Sequence, residues 1–150
     1  MRRTVLVIVL GLLVVSLACG GRVKAPPGMA GTWQGKGEIT CAWCKQREIG
    51  IEMTIAANGA VTGKIGDATL DAARLTRNVV RPDSLPTKFV VKAKLVGPVV
   101  ASQGVTRATI DIGVDLTGEQ LTGAFVTNGD LSGTKETSRL AGRLPGLTRR

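Results

Sequence analysis

The sequence predicts an all-β domain: an antiparallel up-and-down meander of about eight strands closed into a small barrel, with a β-sandwich as the alternative packing. Three observations carry this expectation. Apolar and polar residues alternate with period two along several runs, turn residues punctuate those runs, and no window gives a clean helical stripe. Strands of this kind have one wet and one buried face. A meander of them must hide its edges by closing on itself or by stacking two sheets.

The first expected strand covers residues 31–40 and the second 47–57, where Ile49, Ile51, Met53 and Ile55 oppose Glu48, Gly50, Glu52 and Thr54. Asn58-Gly59 then reads as a two-residue type I′ hairpin, a turn that needs positive φ at both positions. The third strand, 60–66, carries Val61 and Ile65 inward. The fourth, 67–76, is ambiguous, because Leu70, Ala73 and Leu75 fit neither the strand nor the helix period cleanly. Residues 77–86, RNVVRPDSLP, form the longest loop, a candidate lid or rim. In the fifth strand, 87–97, Phe89, Val91, Ala93 and Leu95 face away from Lys88, Lys92 and Lys94. The sixth, 105–117, sets Ala108, Ile110, Ile112, Val114 and Leu116 against Arg107, Thr109, Asp111, Gly113 and Asp115. Thr117-Gly118-Glu119-Gln120 and Asn128-Gly129-Asp130 mark tight connections around a seventh strand, 120–127, with Phe125 inward; the eighth covers 131–142.

The N-terminus has a different character. Arg2 and Arg3 precede an uncharged apolar run from Val5 to Ala18, shorter than the ~20 residues a spanning helix needs. Residues 1–18 therefore read as a secretory signal peptide. The following SLACGG resembles the lipobox of bacterial lipoproteins, with Ser16 where that pattern carries an aliphatic residue. The resemblance implies lipidation of Cys19, a membrane tether and a place in the bacterial cell envelope. Cleavage after Ser16-Leu17-Ala18 into a soluble secreted or periplasmic protein is the alternative. Residues 19–30 would then be a lipidated cysteine and a flexible linker, 31–142 the barrel, and 143–150 a basic tail beyond the last strand.

Composition narrows the chemistry. The chain has no histidine and no tyrosine, which excludes Ser-His-Asp and Cys-His catalysis and every His-containing zinc site. No acidic cluster has calcium-loop spacing, and VTGKIG lacks the spacing of a phosphate-binding loop. A non-enzymatic protein without a cofactor is expected. The net charge of +9 would point to nucleic acid in a cytosolic protein, but export makes lipid headgroups and acidic glycans the expected anionic neighbours.

CAWC, residues 41–44, holds the other two cysteines. Cys41 and Cys44 have too few companions for zinc, and a redox site needs the helix N-terminus that this segment lacks. In an oxidising compartment they are expected to form a disulfide contributing roughly 2 kcal/mol, which would pin the tip beside Trp43.

AGTWQGKG resembles the Gly-x-Trp start of the calycin barrels, the lipocalins and avidins. The resemblance implies that Trp33 plugs one barrel end and packs under an arginine near the C-terminus, for which LSGTKETSRL offers Arg139. It also implies a ligand. In a roomy barrel, Ile51, Met53, Ile55, Phe89, Val91, Ile110, Ile112 and Phe125 would line a cavity for a hydrophobic small molecule or lipid, with arginines near the rim meeting an acidic head. In a narrow barrel the same residues are a solid core. The protein is then an envelope structural or protein-interaction module, with Trp43 or the 77–86 loop as the contact.

Overall fold

The computed structural model describes residues 21–150 apart from 80, 83, 101–106 and 131–138. The expected signal peptide, 1–18, and the expected lipidation site, Cys19, lie outside the described residues. Strands β1 (Gly31–Ile39), β2 (Glu48–Ile55), β3 (Val61–Ile65), β4 (Ala68–Arg77), β5 (Phe89–Val96), β6 (Arg107–Thr117), β7 (Gln120–Asp130) and β8 (Ala141–Arg149) follow one another in chain order. Each pairs antiparallel with the next, and β8 pairs with β1 to close the barrel. Closure removes the exposed edges that an open meander would leave.

The alternation read from the sequence is the alternation of the walls. In β2, Ile49, Ile51, Met53 and Ile55 are buried while the residues between them are exposed. In β6, Ile110, Ile112 and Val114 are buried. Leu116, expected inward, sits at the rim beside the Gly118-Glu119 turn and is 37% exposed.

Two strands break period, and bulges explain both. In β4 the register shifts between Asp71 and Arg74, where Ala72 takes a positive φ of 49°. Buried residues therefore fall at Ala68, Leu70, Ala73 and Leu75, and the three-residue step mimics a helical spacing. In β8 the register against both neighbours shifts across the segment holding Pro145 and Gly146. A proline cannot donate to a ladder, and the bulge is where a strand tolerates it.

That bulge corrects the C-terminal boundary. The eighth strand is Ala141–Arg149, not 131–142, so the expected basic tail 143–150 is itself barrel wall. Leu144 and Leu147 are buried three positions apart, and a strict two-residue period cannot see them as one face. Asn128-Gly129-Asp130 is likewise strand, as β7 runs through to Asp130. The Asn58-Gly59 connection is a hairpin, but of a different type. Gly59 has a φ of 83° while Asn58 does not enter the positive region; the N–H of Gly59 donates to the carbonyl of Ala56, and Asn58 Oδ1 accepts from the N–H of Ala60. This is a type I turn closed by a left-handed glycine rather than type I′.

The expected flexible linker is docked from Val23 onward. The N–H of Val23 donates to the Leu75 carbonyl and that of Ala25 to the Ala57 carbonyl, both at 3.0 Å. Met29 is buried within the core cluster. A Cβ on Gly59 would lie 1.9 Å from the Val23 carbonyl oxygen, so the hairpin tip needs glycine for the strap to cross it.

Candidate functional site

The barrel has two chemically different ends. One carries the strap 22–30, the β2–β3 and β6–β7 turns, the 78–88 loop and the C-terminus. The other carries the CAWC turn, the β3–β4 turn, residues 97–100 after β5 and residues 139–140 before β8.

Trp33, on β1, plugs the strap end and is 1% exposed. Its indole N–H donates to the Met29 carbonyl at 2.8 Å, which satisfies the one polar atom that burial would otherwise orphan. The guanidinium carbon of Arg149 stands 4.9 Å from the Trp33 ring centroid, and Arg149 also donates to the Gly28 carbonyl. Trp33 and Arg149 face each other across the β1–β8 seam. The cation expected over the tryptophan is therefore Arg149, not Arg139. Arg139 precedes β8 at the opposite end of that strand, too far along the wall to reach Trp33. Once residues 143–150 are strand, an arginine near their end is the one that meets the start of β1.

The residues expected to line a ligand cavity face the interior of the barrel. Ile51, Met53, Ile55, Val91, Ile110, Ile112 and Phe125 are all buried in a single cluster, with half-buried Phe89 packed against it. The Phe125 ring lies against the neighbouring strands: a Cβ on Gly142, its register partner on β8, would sit 2.2 Å from it, and one on Gly37 of β1 would sit 3.1 Å away. Glycine at these positions lets an aromatic ring lie against the inner face of the β7–β8–β1 wall.

Two openings of the described surface lie away from the centre of the barrel, one on its wall and one at the strap end. A cleft of about 640 Å³ on the outer wall is bordered by Arg77, Arg81, Lys92 and Arg139, with Val90 and Val126 among its apolar lining. Asp111 adds one acid there, 4.0 Å from Lys92. Asn78 anchors the adjoining loop by donating to the carbonyls of Leu85 and Thr87. A second opening, of about 800 Å³, lies at the strap end between Trp33, Arg149, Leu116 and the β6–β7 turn.

At the other end Cys41 and Cys44 are free thiols, and the expected disulfide is not formed. Cys44 is buried and packs in the core cluster as a small hydrophobe, while Cys41 is half-buried at its edge. Burial pushes the Cys44 thiol above its ordinary value, a rise that the backbone N–H of Gln46 and the charge of Arg47 partly offset. A redox-active cysteine requires the opposite shift. Trp43, between them, is 38% exposed. Among the described residues no group of three or more His, Cys, Asp or Glu could hold a metal ion.

No family profile, curated protein or solved structure matches the chain.

Arg149 and Met29 were not legible as site residues from the sequence. Arg149 lies beyond a Pro-Gly pair that reads as a strand terminator, and Met29 follows Pro26-Pro27-Gly28, which reads as linker. The visible signal for Arg149 was the spaced pair Leu144 and Leu147, readable as one face only if a bulge is allowed between them.

Proposed function

We propose that this chain is a non-enzymatic lipoprotein of the bacterial cell envelope, tethered through Cys19, in which a solid β-barrel serves as a structural or protein-interaction module. The observation that carries the choice of module over carrier is the single buried cluster that the inward side chains form. Phe125 lies against Gly37 and Gly142 on the inner face of the wall, and Trp33 with Met29 closes the strap end. An apolar guest would have to displace a packed cluster, and cavities left or forced in such a core cost several kcal/mol. Outward-facing side chains such as Lys36, Glu48, Glu52 and Lys64 keep the wall polar, so the barrel meets its surroundings through clefts and end loops.

Two measurements test this reading. Native mass spectrometry of the purified protein, followed by solvent extraction, is expected to find the barrel empty, and tryptophan fluorescence is expected to ignore added fatty acids. A stoichiometric co-purified lipid would replace the module by a carrier. Metabolic labelling with a fatty acid is expected to mark the wild-type chain and not Cys19→Ala; an unlabelled wild-type chain would remove the tether.

A further inference from the structure

We infer that the strap end of the barrel is a docking surface for an anionic lipid bilayer. The inference deepens the proposed envelope role by naming the face turned to the membrane, and it rests on that reading for its setting.

The first observation is charge. Arg22 and Lys24 on the strap, Arg77 at the end of β4, Lys88 before β5, and Arg149 with Arg150 at the C-terminus are all exposed at this end. Among the described residues around the same rim, the acids are Asp115 and Glu119. Asp115 already accepts the backbone N–H of Lys88 at 2.9 Å. Arg150 has Glu52 within 3.9 Å, an exposed pair that leaves most of its field in solvent. Among the described residues the opposite end carries a smaller excess, with Lys45, Arg47, Arg139 and Arg143 set among Glu38, Glu48 and Asp67.

The second observation is apolar. Val79, two residues after Arg77 in the loop of this end, is 70% exposed, and Leu116 shows at the same rim. A basic rim with protruding aliphatic side chains suits a surface of anionic headgroups over acyl chains.

The third is where the chain comes in. The strap is hydrogen-bonded from Val23, so the residues preceding it reach the barrel at this end. Val23 lies four positions after Cys19, a stretch that even fully extended spans roughly 14 Å. Basic groups held that close lie within one to two Debye lengths of a bilayer surface, about 8 Å each at physiological salt. A docked strap thus converts what would be a loose leash into a short stalk that presents one particular end.

The test uses residues 21–150, which contain every buried core residue and both strands of the closing seam, and which lack Cys19. This unlipidated chain is expected to co-sediment with vesicles of phosphatidylglycerol mixed equally with phosphatidylcholine. It is expected to ignore pure phosphatidylcholine and to be released by high salt. The double reversal Arg22→Glu with Lys24→Glu should weaken partitioning at least about 25-fold, from roughly fivefold per charge removed. The matched reversal Lys45→Glu with Arg143→Glu at the other end should leave it unchanged. No binding to anionic vesicles, or equal loss from both reversals, would overturn the inference, as would binding to a soluble acidic glycan but not to vesicles. None of these outcomes depends on acylation, so failure of the tether and failure of this surface are separately visible.

Discussion

The two ends of this barrel are closed by different means. The strap end is closed by large side chains and by a segment that is not part of the sheet: Trp33 lies under Arg149 and donates to Met29, and residues 23–29 cross the turn of β2 and β3. The CAWC end is closed by aliphatic side chains of connecting segments, Val99, Val100 and Leu140, with the buried Cys44 thiol packed beside half-buried Cys41. The contrast shows one meander closed at its two mouths by different chemistry. A cap made of a tryptophan, a methionine and a cation depends on the strap, the first strand and the last strand meeting. The cap at the other mouth depends on aliphatic side chains of the connections and on hydrogen bonds between them, as from the N–H of Asp67 to the Val99 carbonyl.

Breaking the large-side-chain cap should have the largest effect. Trp33→Ala removes the plug and leaves the Met29 carbonyl unpaired, and chemical denaturation is expected to show a loss of about 3–5 kcal/mol. At the other end Cys44→Ser places a hydroxyl in the core and should cost about 1–3 kcal/mol, while Cys41→Ser, at the edge of the cluster, should stay within about 0.5 kcal/mol. Equal effects of the two serine variants would mean that the turn, not the burial of Cys44, organises that end.

A finer comparison concerns two arginines on either side of β8. Arg149→Ala should lower stability by about 0.5–1 kcal/mol and shift tryptophan emission, since a cation leaves the Trp33 face. Arg139→Ala is expected to change neither. The smallest effect is one of pH. The Cys44 thiol is held above its ordinary value of 9.0, so the folded state favours the neutral form. The stabilisation this provides is complete below that value and is lost as pH rises through the higher folded one. Alkaline denaturation of Cys44→Ala should begin at higher pH than that of the wild type, with Cys41→Ala as the control.

How much of this was legible in the sequence follows from the bulges. Strands β1 to β3 and β5 to β7 keep an unbroken two-residue period or a clear turn at each end, and their positions can be read within a few residues. Strands β4 and β8 each spend one residue on a bulge, at Ala72 and at Pro145-Gly146, and there the period fails. The failure at β8 carried the cation with it: misplacing one strand exchanged Arg149 for Arg139 as the partner of Trp33. The seat of Phe125 was beyond reach for another reason. Inward residues look the same in sequence whatever they pack against, and the approach of Phe125 to Gly37 and Gly142 follows from the pairing of β7, β8 and β1. Those glycines mark positions where a ring lies against backbone, a meaning that composition does not carry.

The seam between β1 and β8 has a consequence for how this protein is made. Its hydrogen bonds join the first strand to the last, so no ladder can finish the sheet until Arg149 has emerged and found Trp33. Contacts this distant in sequence are slow to form, because the whole loop between them must first be ordered. The hairpins between consecutive strands can form as each pair is made, but the barrel keeps two open edges, on β1 and on its most recent strand, until β8 is present to join them.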